Sequence, residues 1–469
     1  MDVETLRCAV ASPETTCCRQ RGGDSGGGMM NDWREETHKE FLSVEDGRGS
    51  VKDDVDSGGG PPVNAEWKSA KLDQLGFVGR GKSRHRPRNA DVLYGGPYPF
   101  FQTGDIKAAN FYLTEYSQTY SEEGLKQSKL WKPGTLCITI AANIAESAIL
   151  GIEGCFPDSV VGFVADPDKA DVRFIKYYME ILKLQMQSVS RGTTQDNLSV
   201  DKLLTFDFRV PPLPVQRRIA GILSAYDELI ENSQRRIRIL EEMARAFYRE
   251  WFVCFRFPGH ENHPLVPSSL GDIPQGWDVK RVPECVDINP RVVVPREGEK
   301  PFVPMGCLSN DSMLISNIES REGNSGAKFQ NGDTLFARIT PCLENGKTGF
   351  VQFLPDAKAV GFGSTEFIVL RSRTLTPQFV YLLARSDEFR GVAIKSMSGA
   401  SGRQRVQEKC FADFQIVQPP LALLNLFSAI VMPSFRNIYK LHLQIQNLRL
   451  TRDLLLPRLL SGQVNPKEN

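Results

Sequence analysis

The chain repeats itself after about 208 residues, and this internal repeat constrains its fold more than any other feature of the sequence. A shift of 208 positions without gaps brings identical residues together at Ser188 and Ser396, at Phe206 and Phe414, and at Pro211-Pro212-Leu213 and Pro419-Pro420-Leu421. A repeat of this length is typical of a folding unit that occurs twice. We therefore predict two copies of one module, at about 64–258 and about 272–464.

Each module begins with short alternating apolar runs typical of strands, continues through a Pro-Pro pair and ends in a long helical pattern. In the first module apolar and small residues recur at alternating steps of four and three from Ile219 to Trp251. The second module repeats these steps from Phe427 to Leu459. A heptad pattern of this length requires a partner helix. We expect the two helices to pair antiparallel with each other; the alternative is that each packs on its own strands.

Pro433 interrupts the second helical pattern, at the position that matches Ala225. Because an interior proline removes a backbone hydrogen bond, we predict that the second helix breaks or kinks near Met432 and restarts. Paired helices of ~30 residues would be ~45 Å long, which is comparable with ~34 Å for one turn of DNA. Such a pair would hold two β-rich units at a fixed distance.

These patterns predict an α+β fold in which two similar β-rich α/β domains are separated by two long antiparallel helices. Residues 1–63 contain 7 Lys and Arg against 13 Asp and Glu, together with Gly-rich runs, which is typical of a disordered extension. The predicted boundaries are an extension at 1–63, a first domain at 64–212, a central helix at 213–258, a linker at 259–276, a second domain at 277–420, a C-terminal helix at 421–464 and a tail at 465–469.

A basic segment near the start of the first module is the first candidate for a binding surface. Its five cations have no acid among them: Arg80, Lys82, Arg84, Arg86 and Arg88. Ser83 and His85 add neutral hydrogen-bonding groups to the same loop. Lys and Arg neutralise phosphates, and Arg can also contact guanine through two hydrogen bonds. We predict a DNA-contacting loop, with an ordinary solvated surface loop as the alternative.

The segment Gly76–Ser83 also matches the nucleotide-binding pattern GxxxxGK[ST]. That pattern holds phosphate when a helix begins at its Lys-Ser pair, because the amides and the positive end of the helix bind the phosphate oxygens. The residues that follow include Pro87 and show no helical periodicity. We therefore favour the DNA-contacting interpretation, and an NTP-binding enzyme is the alternative function.

A second candidate surface precedes the last predicted strand of each module, on loops with almost no acid. In the first module the candidate DNA-contacting residues are Ser190, Arg191, Thr193, Thr194, Gln195 and Asn197. In the second module they are Ser398, Ser401, Arg403, Gln404 and Arg405. Arg338 and Lys347 form a weaker third candidate, for which a plain strand and turn is an equal alternative. Side chains of these types suit base edges and phosphates.

The sequence contains no pattern that indicates a catalytic, cofactor or metal site. Its five His are dispersed, and we interpret His260 and His263 as part of a solvated linker because no further metal ligand lies near them in the sequence. The ten Cys form no CxxC pair, which is typical of reduced thiols in a cytoplasmic protein. The longest uncharged stretch, Phe414–Phe435, is interrupted by Pro419 and Pro420, so we expect no membrane span.

Several longer motifs carry a resemblance to a known family. They are GDIPQGW at 271–277, YPFFQTGDIKAANFYL at 98–113, PPLPVQRRIAGIL and PPLALLNLFSAIV at the starts of the two helical patterns, and LLLPRLLSGQV at 454–464. In these motifs the chain resembles the specificity (S) subunit of type I restriction–modification enzymes, over about 64–464. The acidic extension at 1–63 lies outside the resemblance.

The resemblance implies that each β-rich unit is a target-recognition domain that reads one half of a split, asymmetric DNA sequence, with the helices setting the gap. It also implies docking of two modification (methyltransferase) subunits and of restriction/translocase subunits. S-adenosylmethionine, ATP and Mg would then be bound by those partners and none by this chain, and no catalytic residue carries over. A scaffold that gathers partners without sequence preference is a further alternative.

Overall fold

The computed structural model describes residues 67–191, 198–400 and 402–464, without the side chains of Ser190 and Arg191. The predicted extension at 1–63 and the predicted tail at 465–469 lie outside the described residues. The described residues combine helices with mostly antiparallel sheets, so the predicted α+β class is confirmed.

The first half is built around a five-stranded sheet with helix α3 packed against it. Its strands are β1 (Lys68–Ala70), β2 (Gly76–Arg80), β3 (Tyr94–Phe100), β4 (Tyr112–Leu113), β5 (Gln118–Tyr120), β6 (Leu136–Thr139), β7 (Ser147–Leu150), β8 (Val160–Ala165) and β9 (Phe208–Val210). Its helices are α1 (Thr103–Ala108), α2 (Glu122–Lys126), α3 (Val172–Arg191), α4 (Val200–Leu203) and the long α5 (Leu213–Tyr248). The sheet has the order β2-β8-β6-β7-β4. Strand β1 pairs with β9, which brings the start of this half beside its end.

The second half contains two four-stranded sheets. Its strands are β10 (Leu265–Ser268), β11 (Gly271–Pro274), β12 (Asp278–Arg281), β13 (Val286–Ile288), β14 (Lys300–Val303), β15 (Glu319–Arg321), β16 (Ala327–Phe329), β17 (Thr334–Ala337), β18 (Thr348–Phe350), β19 (Gly361–Gly363), β20 (Phe367–Ser372) and β21 (Gln415–Gln418). Its helices are α6 (Val282–Cys285), α7 (Pro377–Arg385), α8 (Asp387–Lys395) and the long α9 (Leu421–Leu460). The sheets have the orders β13-β20-β17-β18 and β15-β14-β19-β16.

One strand arrangement occurs in both halves. The order β2-β8-β6-β7 corresponds to β13-β20-β17-β18, and the β1–β9 pair corresponds to β12–β21. Strands β6 and β17 are buried on both faces, which is why three of the four residues in each are apolar. In β6, Leu136 and Ile138 face the core shared with the helices, whereas Cys137 faces a separate core. Loops that leave equivalent strands therefore occupy matching places in the two halves.

The two long helices run antiparallel along each other. At one end Phe427 of α9 contacts Phe252, just beyond α5, with ring centroids 4.8 Å apart. At the other end Leu459 of α9 shares a core with Ile219 of α5. The heptad positions between these ends are buried, among them Ile230, Ile237, Ile438 and Ile445. The buried stripes of both helices also pack on the β-rich halves. Pairing of the two helices with each other and packing of each helix on strands therefore occur together.

Of the predicted break or kink near Met432, the break with a restart is wrong, because α9 is continuous through this position. Pro433 is exposed, and the carbonyl group that its missing N–H would have bonded belongs to Ala429, which is also exposed. Water can therefore satisfy that carbonyl group. Val431 and Phe435 flank the proline on the buried face, so packing holds the helix together across the missing bond.

Two polar anchors fix the halves on the helix pair. Tyr177 of α3 donates a hydrogen bond of 2.5 Å to Asp227 of α5, and Arg452 of α9 pairs with the same carboxylate. Burial and the charge of Asp227 raise the pKa of Tyr177. In the second half the amide of Met313 donates to the carboxylate of Glu241 on α5 at 2.8 Å, and burial raises the pKa of Glu241. Each half is thus held at a defined point of the helix pair.

Among the described residues, α9 is the one helix that is long and apolar enough to cross a membrane by length and composition. The sequence analysis expected no membrane span because it considered only the uncharged stretch Phe414–Phe435, which overlaps the start of α9. It did not consider the hydropathy of the whole helix. One stripe of α9 packs against α5, whereas Leu443, Leu450 and Leu454 are exposed. A single helix of this kind is weak evidence for a membrane span.

Candidate nucleic-acid interface

The basic loop of the first half leaves the edge strand β2 from a fixed backbone position. The amide of Gly81 donates to the carbonyl of Val160 at 2.8 Å, and that of Lys82 donates to the carbonyl of Phe156 at 3.2 Å. Glycine is required at 81 because a Cβ there would lie 2.2 Å from the carbonyl oxygen of Pro157. The exposed candidates of the loop are Arg80, Lys82, Arg84, His85, Arg86 and Arg88.

The same backbone position argues against a nucleotide site at Gly76–Ser83. Residues 81–90 are all described and contain no helix, so the helix that phosphate binding by this pattern requires does not begin at Lys82. Ser83 is 7% exposed, so burial gives no support to its prediction as a DNA contact, which stays a prediction. The amides of Gly81 and Lys82 bond to the neighbouring segments, and these hydrogen bonds also place Ser83 in a buried position.

The fold brings an acid to this loop although the loop sequence has none. Arg88 donates from Nη2 to both carboxylate oxygens of Asp158, at 2.9 and 3.1 Å. Arg80 donates from Nε to the backbone carbonyl of Asp158. The five cations are therefore not equivalent, because two of them are held by one residue that lies about 70 positions further along the chain.

The other cations of the loop are available to an anionic ligand. Arg86 donates to backbone carbonyl groups of its own loop, and Lys82 and Arg84 have no carboxylate within 4 Å among the residues that the structure describes. Lys129 lies nearby with its ammonium group 3.6 Å from the ring centroid of Trp131. Burial and the charge of Lys82 lower the pKa of Lys129. This concentration of positive charge favours a polyanion.

The second half has a matching loop that the sequence analysis missed. It leaves β13, the counterpart of β2, and exposes Arg291 and Arg296. A shift of 208 residues from Arg88 leads to Arg296, and each follows a proline, so the repeat contained the signal. The loop is less basic than that of the first half, and Val293 at its tip is 90% exposed.

In the second half the loop before the last strand forms a hairpin. Ser398 and Arg405 exchange backbone hydrogen bonds of 3.1 and 2.9 Å, and the amide of Thr340 donates to the carbonyl of Gln404 at 3.1 Å. This hairpin therefore lies beside the third candidate segment, which begins at Arg338. The exposed candidates are Ser398, Arg403 and Arg405, whereas Gln404 is half-buried and Ser401 lies outside the described residues.

In the first half most of the corresponding loop lies outside the described residues. Thr193, Thr194, Gln195 and Asn197 fall in the stretch 192–197, and the side chains of Ser190 and Arg191 are not described, so these six stay predictions. The amide of Leu198 donates to the carbonyl of Ile140 at 2.9 Å, as that of Val406 does to the carbonyl of Arg338 at 2.8 Å. In both halves the residue after this loop therefore bonds to the residue that follows the central strand, β6 or β17.

Arg338 and Lys347 have different surroundings. Lys347 is half-buried and donates to the carbonyl of Met305 at 3.2 Å, so its predicted DNA contact stays a prediction. Arg338 lines a cleft of about 610 Å³ together with Arg291 and Lys328. Its Nε is buried and has no hydrogen-bond partner among the described residues. Arg338 therefore remains a candidate, beside the missed loop.

No metal centre is found in the part of the chain that the structure describes. Within 67–191, 198–400 and 402–464 no three His, Cys, Asp or Glu side chains are grouped so that they could hold a metal ion. The rings of His260 and His263 pack edge-on against Phe257, with centroids 6.2 and 5.2 Å away. These two histidines therefore contribute to the packing of the linker.

Comparison with known proteins gives a consistent family. Residues 64–242 match the model of the "Type I restriction modification DNA specificity domain". The specificity subunit of the type I restriction enzyme MjaIX of Methanocaldococcus jannaschii is 23% identical over 434 residues, which cover 87% of this chain and 95% of that one. Residues 64–242 thus match the specificity domain of these enzymes, and most of the chain is similar to type I restriction enzyme specificity subunits.

Other specificity subunits show similarity to all or part of the chain. The HindI specificity subunit of Haemophilus influenzae is 22% identical over 85% of this chain and 100% of its own length. The EcoEI specificity subunit of Escherichia coli is 31% identical, over 38% of this chain and 30% of that one. The solved type I S subunit from M. genitalium shares the fold, with a TM-score of 0.56 at 15% identity over 87% of this chain and 98% of that one.

Proposed function

We propose that this specificity subunit recognises a bipartite, asymmetric DNA sequence and reads one part of it with each β-rich half. The observation that carries the proposal is the matching position of two exposed basic loops, after β2 and after β13, on equivalent sheets. Lys and Arg on such loops contact phosphates, and the hairpin that ends at Arg405 adds groups suited to base edges. Because the two loops differ in sequence, the two parts of the site should differ as well.

The helix pair supports a fixed gap between the two parts of the site. Helix α5 has 36 residues, so at the α-helical rise it is about 54 Å long. It is anchored to one half through Asp227 and to the other through Glu241. The helix is longer than ~34 Å, one helical turn of DNA, so a rod of this kind supports a constant separation of two DNA contacts.

We also propose that the helix pair docks two modification subunits and that restriction/translocase subunits join the same complex. The exposed residues Leu443, Leu450 and Leu454 of α9 follow one another at steps of seven and four, so they form one apolar ridge on the helix. Methyl transfer from S-adenosylmethionine and cleavage driven by ATP and Mg belong to those partners in this proposal. The subunit itself binds no cofactor or membrane and works in the cytoplasm.

Selection of duplexes from a random DNA library by the full chain tests the proposed function. We expect enrichment of two short sequences separated by a gap of constant length and variable composition. Enrichment of no sequence, together with intact complex formation, would favour the scaffold alternative. Binding of ATP by the chain that is lost on Lys82→Ala would favour the NTP-binding enzyme, whereas we expect this substitution to weaken duplex binding alone.

A further inference from the structure

Asp158 and Glu366 lie in the same short segment of the two halves, one residue apart in the strand register. They lie 208 residues apart, the shift that relates the two modules, and each precedes the long strand beside the edge strand, β8 or β20. The strand pairing shifts this correspondence by one residue, since the amide of Ile140 donates to the carbonyl of Ser159 and that of Arg338 to the carbonyl of Glu366. Ser159, which follows Asp158, is therefore the counterpart of Glu366 in the strand register. Each acid therefore lies where the central strand meets the candidate DNA-facing loops.

Each of these acids holds one arginine of a candidate DNA-facing loop. In the first half Arg88 donates to both oxygens of Asp158 from Nη2. In the second half Arg405 donates to Glu366 from Nε at 2.9 and 3.0 Å and from Nη2 at 2.8 Å. The two arginines come from different loops, the first from the loop after β2 and the second from the hairpin before β21, so each half pairs its own acid with a different loop.

The pairs leave part of each guanidinium group free. Arg88 and Arg405 have side chains 51% and 45% exposed, so neither pair is buried. The carboxylate occupies one side of the planar group, and Nη1 of each arginine lies outside the pair. An arginine fixed in this way loses less conformational freedom when it forms two hydrogen bonds with guanine.

A carboxylate beside a DNA-facing arginine also acts against the wrong sequence. It repels the phosphates that would otherwise attract the loop anywhere along a duplex. The arginine compensates for this repulsion only where a base offers it two acceptors, and such an arrangement increases discrimination more than affinity.

We propose that Asp158 and Glu366 are positioning residues that hold Arg88 and Arg405 for bidentate contact with guanine, one in each part of the DNA site. The inference rests on the proposed function and names the residues that set its specificity. It predicts a guanine in both parts of the selected sequence. It also predicts that loss of either carboxylate reduces discrimination between sequences and not the affinity for DNA in general.

The test compares the full-length wild-type chain with D158N and E366Q on the selected duplex and on a scrambled duplex of equal length, over a range of salt concentrations. We expect each variant to lower the affinity ratio of selected to scrambled duplex about 10-fold, with unchanged or tighter binding to the scrambled duplex. The variants R88K and R405K keep the charge but lose the planar fork, so they should lower the ratio as strongly and leave the salt dependence unchanged.

Asp168→Asn and Asp278→Asn are the matched controls, since each removes one exposed carboxylate that lies outside these loops. They should leave the ratio unchanged, and thermal unfolding of all variants should match the wild type. If the wild type prefers the selected duplex and D158N and E366Q have the same affinity ratio as the wild type, the inference is overturned and the proposed function stands. An equal loss on both duplexes, or R88K and R405K with the wild-type ratio, would also overturn it, since phosphate contact then explains the arginines. A wild type without any preference would overturn the proposed function as well.

Discussion

The triple variant K82A/R84A/R86A is expected to bind duplex DNA about 10²- to 10³-fold more weakly than the wild type at 0.1 M salt. Each phosphate contact contributes about 0.9 to the slope of log affinity against log salt, so three lost contacts lower the affinity by nearly three decades at this concentration. The three side chains are exposed, and their only hydrogen bonds in the described structure go to backbone groups of the loop. The stability of the fold should therefore change little.

A filter-binding or fluorescence titration at several salt concentrations measures this effect, and the slope should fall by about three. The matched control is K68A/K169A/R217A, which removes the same charge at the end of the first half where the chain enters α5. It should retain most of the affinity. An equal loss in the control, or an unchanged slope in the loop variant, would contradict the role given to this loop.

Asp227→Ala is expected to lower the free energy of unfolding by about 2 kcal/mol, because it removes a partly buried acceptor that two donors share and leaves Arg452 with only the exposed Asp453 as a partner. Asp227 is 14% exposed and is shared by Tyr177 and Arg452. The variant leaves the Tyr177 hydroxyl without its acceptor and the first half without its polar anchor on the helix pair. Urea denaturation of the wild type and the variant measures the difference.

Asp453→Ala provides the control for this experiment. Asp453 also pairs with Arg452, at 2.8 Å, but its side chain is 60% exposed. Exposed pairs contribute little, so the control should lose less than about 1 kcal/mol. A similar decrease in the free energy of unfolding in the two variants would show that the contacts of Asp227 with α3 and α9 do not stabilise the fold more than an exposed ion pair does.

The long helices could be predicted from the sequence because their signal is local and repeated many times. The steps of four and three from Ile219 onward identify a buried stripe without knowledge of the rest of the chain. The effect of Pro433 could not be predicted in the same way, because the cost of one missing hydrogen bond depends on whether its carbonyl group faces water and on the packing of Val431 and Phe435.

The candidate site could be predicted only as far as the loops that carry it. The charge of the segment around Arg84 is visible in the sequence, but Asp158 is distant from Arg88 along the chain and meets it only through the pairing of β2 with β8. The burial of Ser83 has the same origin, since it depends on the backbone anchor at Gly81. Comparing the two modules position by position would have found Arg296, which lies 208 residues after Arg88.

The boundaries of the two recognition domains and the contacts of residues 192–197 stay predictions. The repeat shows which positions of the two modules correspond. A domain boundary depends on which residues contact each other across it, and the repeat does not give these contacts. Both halves place Leu198 and Val406 at the end of their central strands, so the loops before them are the first place to look for further base contacts.

The measurement that tests the central claim most directly is the gap of the DNA site after the helix pair has been lengthened. Seven residues that continue the heptad pattern would be inserted into α5 between Ser233 and Ile237 and into α9 between Leu441 and Ile445, which face each other in the antiparallel pair. The insertion lengthens the pair by about 10 Å. If two reading domains are held apart by this rod, selection from a random library should return the same two half-sites with the gap longer by about 3 base pairs. An unchanged gap, or altered half-sites, would contradict the claim.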